Sequence, residues 1–209
     1  RYTAELKAAG LTVFHVVPSL DAALKAVDAG VDGLVVEGGE GGGFKNPQDV
    51  STMVLLPLVR SKVDVPIIAA GGFVDGASMA AAFALGAEGV QMGTRMVSAA
   101  ESPVHVNWKN AIVSAKETDT VFLNRAHSPA LRALRTHKTS ALEFETEKNV
   151  MTEFGGALDL YFGGDMEASI ALTGQVAGRI DRVRPVAEVI AEVKEEFFAT
   201  IGRLSAQYL

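Results

Sequence analysis

Four apolar runs rich in β-branched residues mark the first hundred positions: TVFHVV (12–17), GLVVEG (33–38), VPIIAAGG (65–72) and, more weakly, GVQMGT (89–94). Short apolar runs bounded by polar and glycine-rich stretches predict buried strands. The segments between them predict helices: SLDAALKAVDAG with Ser19 as N-cap, DVSTMVLLPLVRSK, and DGASMAAAFALG ending at Gly86. Strand and helix alternate, which predicts a parallel sheet. The opening RYTAELKAAG is helix-like and lacks Met, so we expect a longer parent chain.

The alternation repeats. AGVDGLVVEG from Ala29 resembles LGAEGVQMG from Leu85, and Gly33 lies 56 residues before Gly89, about two strand-plus-helix units of roughly 28 residues each. Four parallel strands alone would leave exposed edges. The expected fold is therefore α/β: a TIM (β/α)8 barrel of which this chain supplies roughly the C-terminal four βα units plus a smaller, mainly helical cap. An open doubly wound sheet is the alternative. Past Thr94 the pattern predicts a helix in SPVHVNWKNAIVSAKE, a short strand in TDTVFLN, a basic helix or turn in SPALRALRTHKT and a long amphipathic helix in RPVAEVIAEVKEEFFATIGRL. The expected division is a half-barrel over 1–117, a helical cap over 118–180 and the C-terminal helix over 181–209.

Composition narrows the function. The 209 residues are 48% hydrophobic and 21% charged, enough for one sizeable core. A formal charge of -6 and no dense cluster of Lys and Arg argue against a nucleic-acid partner. Cysteine is absent, which excludes disulfides, thiolate nucleophiles and thiolate metal sites and is compatible with a reducing cytoplasm. No apolar run approaches the roughly 18 residues of a membrane span. The four histidines are scattered without metal-ligand spacing, so no metal is expected; His15, inside an apolar run, reads as a satisfied core residue.

The candidate chemistry lies in glycine-rich turns at the predicted carboxyl ends of the strands. GGEGGGFK follows the second run, Gly71 and Gly72 the third, and Gly93 and Thr94 the fourth. Ligands of parallel α/β proteins sit at these ends, where glycine lets backbone N–H groups approach an anion. Simple closure of tight turns is the better reading of any one of these glycines; their recurrence after adjacent strands is what points to a ligand. Neither GxGxxG in its dinucleotide context nor GxxxxGK[ST] is present.

GGEGGGF (38–44), VPIIAAGGFVDG (65–76), AAAFALGAEGVQMGTRM (80–96) and GQVAGRI (174–180) resemble the nitronate monooxygenase, or 2-nitropropane dioxygenase-like, flavoproteins, a group that includes FMN-type enoyl-acyl-carrier-protein reductases and NADH:quinone reductases. The resemblance implies an FMN-binding barrel. It implies that Ala70, Gly71 and Gly72, with Gln91, Met92, Gly93 and Thr94, hold the flavin phosphate, and that Gly42 and Gly43 approach the flavin ring. NADH or NADPH is the implied reductant. Where the family commonly carries histidine at the end of the glycine motif this chain has Phe44, and where many members carry lysine it has Val16. A phenyl ring moves no proton, so a His-dependent nitronate mechanism is in doubt.

The expected activity is that of an FMN-dependent dehydrogenase or reductase of an enone or acyl-CoA-type substrate. The alternatives are a nitronate monooxygenase, a flavin-free phosphate-binding isomerase or aldolase, and a non-catalytic binding protein. Phe44 and Lys45 are candidate substrate contacts. Glu40 is a weak candidate acid or base, with a structural carboxylate holding backbone N–H groups as the plainer reading, and Glu37 is a second candidate. Arg125, Arg132, Arg135 and Lys138 are either a solvated helix face or a site for nicotinamide or CoA phosphates. Expected partners are a small-molecule substrate, with a CoA thioester among the classes that fit, the missing N-terminal half of the same barrel, and a second copy in a homodimer. The expected setting is cytoplasmic.

Overall fold

The computed structural model describes residues 2–209. Four parallel strands, β1 (Phe14–Val17), β2 (Gly33–Glu37), β4 (Ile67–Ala70) and β5 (Gly89–Gln91), form one sheet in the order β1-β2-β4-β5. The register aligns Val35 with Val16 on one side and with Ile68 on the other. All four predicted strands are present. Strand order follows chain order with no reversal, so right-handed crossovers place the connecting helices on one face. That is the layout of a barrel segment; a doubly wound sheet requires a reversal of order.

The crossover helices are α2 (Leu20–Asp28), α3 (Thr52–Arg60) and α4 (Gly76–Ala84), preceded by α1 (Thr3–Ala8). Ser19 caps α2 by accepting from Ala22 N, and Asp75 caps α4 by accepting from Ser78 N in a reciprocal capping box. Their apolar faces bury Ala23, Ala26, Leu55, Leu56 and Val59 against Leu34, Val36 and Ile67. The outer strands are barer. On β1, Phe14 and Val16 are exposed, and His15 is exposed as well. His15, expected in the core, stands here on the edge strand of the sheet.

Beyond β5 come α5 (Thr94–Val97), α6 (Val106–Ser114), α7 (His137–Leu142) and α8 (Val186–Tyr208). A second sheet, antiparallel, joins β3 (Gly43–Lys45), β7 (Ala130–Leu134) and β6 (Thr120–Leu123). Two expectations are corrected by it. Residues 130–134, read as basic helix or turn, form a fully buried strand, because Leu131, Ala133 and Leu134 pack in the cap core while Arg132 is drawn into internal hydrogen bonds. The end of the glycine run, read as bare loop, pairs as a strand with β7, Phe44 opposite Leu131. Residues 118–180 thus carry two strands as well as short helices.

Val74, Trp108 and Ile112 share one core with Leu134, Leu160, Ala171 and Ile180. The helix α8 packs back on α4: a Cβ at Gly76 would lie 2.2 Å from Phe197 N. Among the described residues no helix is long and apolar enough to cross a membrane.

Candidate functional site

Because β2, β4 and β5 run parallel, their carboxyl ends open on the same side, and there the chain surrounds a cavity of ≈ 270 Å³. Its walls include Gly41, Gly42 and Gly43 after β2, Ala70 to Phe73 from the last residue of β4 onward, and Gln91 at the end of β5 with Gly93, Thr94 and Val97 beyond it, closed by Leu172, Gly174 and Val176. Of the predicted cofactor residues, Gly42, Gly43, Ala70, Gly71, Gly72, Gln91, Gly93 and Thr94 meet here. Met92 does not. It packs on the helix side of the sheet, in a groove with Met79, Phe83 and Phe197, since successive strand side chains alternate faces.

The glycine loop is held together chiefly by protein. A Cβ at Gly38 would lie 2.2 Å from Thr52 Oγ1, one at Gly39 would fall 1.6 Å from Asp49 Oδ1, and one at Gly42 would lie 2.6 Å from Gly174 N. The backbone of the cap region therefore occupies the space beside Gly42. Gln175 N donates to Glu40 O at 2.9 Å, and Gly174 N donates to Thr94 Oγ1 at 2.8 Å. Thr94 accepts that bond and keeps its own proton to donate. At Gly43 and Gly93, by contrast, nothing lies within 4 Å of the Cβ position. Gly43, Gly71 and Gly72 have φ of 94°, 82° and 93°, which favour glycine on backbone grounds alone.

Glu40 is engaged at the start of α3. Its oxygens accept from Thr52 N at 3.0 and 3.1 Å and from Thr52 Oγ1 at 2.9 Å, a carboxylate on a helix N-terminus. Thr52 Oγ1 also approaches the carbonyls of Ala70 and Gly71 at 3.2 and 2.8 Å, tying α3 to the turn after β4. Sequence reasoning missed Thr52; its signal is a hydroxyl just inside a predicted helix start.

Phe44 and Lys45 fall outside the cavity wall. Strand alternation separates them: Phe44 is 54% exposed, its ring 6.1 Å from that of Phe154, while Lys45 is buried. Lys45 Nζ lies 2.6 Å from Glu37 Oε1, and Glu37 does line the cavity. Burial lowers the Lys45 pKa, with the Glu37 charge opposing the shift.

The basic cluster is dispersed by β7. Buried Arg132 donates Nε to Gly39 O and lies 3.8 Å from Asp49, so it braces the glycine loop; desolvation lowers its pKa against the pull of Asp49 and Glu40. Arg135 pairs with Glu143 at 2.6 Å, and Lys138 donates to Ala168 O at 3.3 Å. Arg125 stacks on the Phe122 ring at 4.2 Å. Together they form neither a common helix face nor a common anion site.

This geometry, parallel strands ending on a glycine-lined cavity with a closing cap, is that of a segment of a (β/α) barrel. The chain belongs to the nitronate monooxygenase family, whose sequence model matches residues 1–196. It is 41% identical over 140 residues to (3aS,4S,5R,7aS)-5-hydroxy-7a-methyl-1-oxo-octahydro-1H-indene-4-carboxyl-CoA dehydrogenase of Rhodococcus jostii (strain RHA1), covering 67% of this chain and 39% of that protein. It is 40% identical over 124 residues to a probable nitronate monooxygenase of Staphylococcus aureus (strain Newman), covering 56% of this chain and 35% of that protein. The chain thus spans well under half the length of these curated relatives. The solved structure of FabK from Thermotoga maritima superposes with a TM-score of 0.92 at 39% identity, covering 99% of this chain and 68% of that one. A nitroalkane oxidase from Streptomyces ansochromogenes shares the fold, at a TM-score of 0.80 and 22% identity over 96% of this chain and 61% of that one.

Proposed function

We propose that the protein is an FMN-dependent oxidoreductase acting on an enone or acyl-CoA-type substrate. The observation that carries this reading is the cavity at the strand ends, where Gly93 has open space beside it and Thr94 retains a donor proton. A phosphate needs backbone N–H groups and a hydroxyl with no side chain in the way, and these residues fit it. Gly71, Gly72, Gly93 and Thr94 hold the phosphate, and Gly43, with nothing beside its Cα, borders the ring. When bound, the flavin supplies hydride and electron transfer.

The protein's own part is to bind, orient and exclude water. Phe73, Val97, Leu172 and Val176 give the cavity apolar walls. Phe44 carries no proton and lies on the exposed face of β3 beside Phe154, so proton transfer by a histidine at this position is absent. That favours a dehydrogenase or reductase over nitronate oxidation, in line with the CoA dehydrogenase among its relatives. NADH or NADPH is the proposed reductant, and the first four barrel units complete the sheet at the free edges of β1 and β5.

The full-length protein should be yellow, with a flavin band at roughly 450 nm. Anaerobic bleaching should be faster with NADPH, NADH or a saturated acyl-CoA than with a nitronate. A colourless protein that takes up no added FMN sinks the flavin reading, and preferential bleaching by a nitronate sinks the substrate reading.

A further inference from the structure

Two carboxylates line the cavity, and their surroundings differ. Glu40 has both oxygens bound at the start of α3 by Thr52. Glu37, the last residue of β2, gives Oε1 to Lys45 Nζ at 2.6 Å, and among the described residues no donor is bonded to Oε2. Its side chain keeps 20% of its surface exposed, whereas that of Lys45 keeps 3%. Lys45 Nζ makes no well-directed hydrogen bond, so the ion pair is its one strong interaction. The backbone is shaped around this pair: a Cβ at Gly41 would lie 2.4 Å from Glu37 Oε1 and 2.6 Å from Lys45 Nζ.

A buried lysine whose only strong partner is a carboxylate at the floor of a ligand cavity is costly to maintain for stability alone. We propose that Glu37 is the proton-accepting base of this site and that Lys45 is its positioning residue. The inference rests on the flavin-oxidoreductase reading and assigns the proton that Phe44 has no means to move. In the oxidative direction Glu37 Oε2 takes a proton from the carbon next to the substrate carbonyl. The electron pair of the broken C–H bond becomes the new C=C bond as hydride leaves the adjacent carbon for the oxidised flavin. The resulting carboxylic acid then releases its proton to solvent. Lys45 Nζ holds Oε1 in place, which leaves Oε2 to take the proton.

The other charged groups around the pair are Glu40 on the same loop, Arg132 on β7 and Asp49 ahead of α3. Glu40 favours the charged lysine, and Arg132 opposes it. Burial makes Lys45 the weaker holder of its proton, so the pair depends on the negative charge of Glu37.

The test uses the FMN-loaded full-length protein. The flavin absorbance is recorded with and without butyryl-CoA, and exchange of the α-protons of butyryl-CoA in deuterated water is followed by NMR. The wild type is expected to show a shift of the flavin band when butyryl-CoA binds, and measurable exchange. Glu37→Gln should keep the band shift and slow exchange by about 10²-fold or more. Lys45→Met removes the group that holds Glu37 Oε1, so exchange should fall while the band shift is kept. Lys45→Arg, which keeps the charge, restores exchange towards the wild-type rate and serves where Lys45→Met does not fold. A flavin-loaded wild type with no exchange overturns the proposal, as does a Glu37→Gln variant that exchanges at the wild-type rate. A wild type that binds no FMN overturns the flavin reading itself, and this inference with it.

Discussion

After β2 the chain passes five glycines in six residues; after β5 it passes one, Gly93, before α5 begins. At Gly38, Gly39, Gly41 and Gly42 the Cβ position is already occupied, by Thr52, Asp49, the Glu37–Lys45 pair and the Thr173–Gly174 backbone in turn. At Gly93 it is open. Four of the five glycines in the dense run thus make room for the protein's own side chains and backbone, whereas Gly93, beside a hydroxyl, has open space next to it. The two loops share a wall of one cavity and have different reasons for lacking side chains.

The largest effect expected from testing this contrast is at Gly42. In Gly42→Ala the new methyl meets backbone atoms of Thr173 and Gly174 at 2.6 Å, which have no rotamer to yield. Overpacking of this kind costs about 2–3 kcal/mol, read as a lower urea midpoint. The cap segment should also detach locally, with faster hydrogen exchange at Gln175, whose N–H bonds Glu40 O on this loop, and at its neighbour Gly174, whose N–H bonds Thr94. An unchanged midpoint would show that the loop is not braced by the cap.

Thr94→Val comes next. It removes the acceptor for the buried Gly174 N–H and keeps the volume, so stability should fall by about 1–2 kcal/mol. Because the hydroxyl proton is lost as well, FMN affinity should fall at least tenfold on the proposed function, measured by quenching of flavin fluorescence. Thr94→Ser should keep both the bond and most of the affinity. Loss of stability without loss of affinity would assign Thr94 to packing alone.

The parallel half of the fold was legible because each strand is a continuous apolar run closed by glycine, and caps such as Ser19 and Asp75 stand where the chain turns into helix. The second sheet was not. In residues 130–134, ALRAL, the short run alternates too briefly to tell strand from helix, and the deciding term is long-range: Arg132 reaches Gly39 O and Thr120 Oγ1, far away in sequence. The site shows the same division. Strand-end glycines place Gly71, Gly72, Gly93 and Thr94 from sequence alone. The partners that decide what each polar group is free to do, Thr52 for Glu40 and Lys45 for Glu37, come from other elements and leave no local pattern. Met92, the residue after β5, turns its side chain away from the cavity that its neighbour Gln91 faces.

The smallest effect on stability, and the one that separates the two loops most sharply, is expected at Gly93. Its φ is -85° and ψ -69°, a conformation open to any residue, and its Cβ position is empty out to 4 Å, so Gly93→Ala should change stability by no more than about 0.5 kcal/mol. The same methyl projects beside Thr94, into the space assigned to the phosphate. Affinity for FMN should fall at least tenfold while the urea midpoint stays within error, the reverse of the pattern expected at Gly42. If Gly93→Ala binds FMN as the wild type does, the open space at this turn is not where the anion sits. The bareness of the β5 turn would then have the same explanation as that of the β2 loop, close packing by protein, with the partner still to be found.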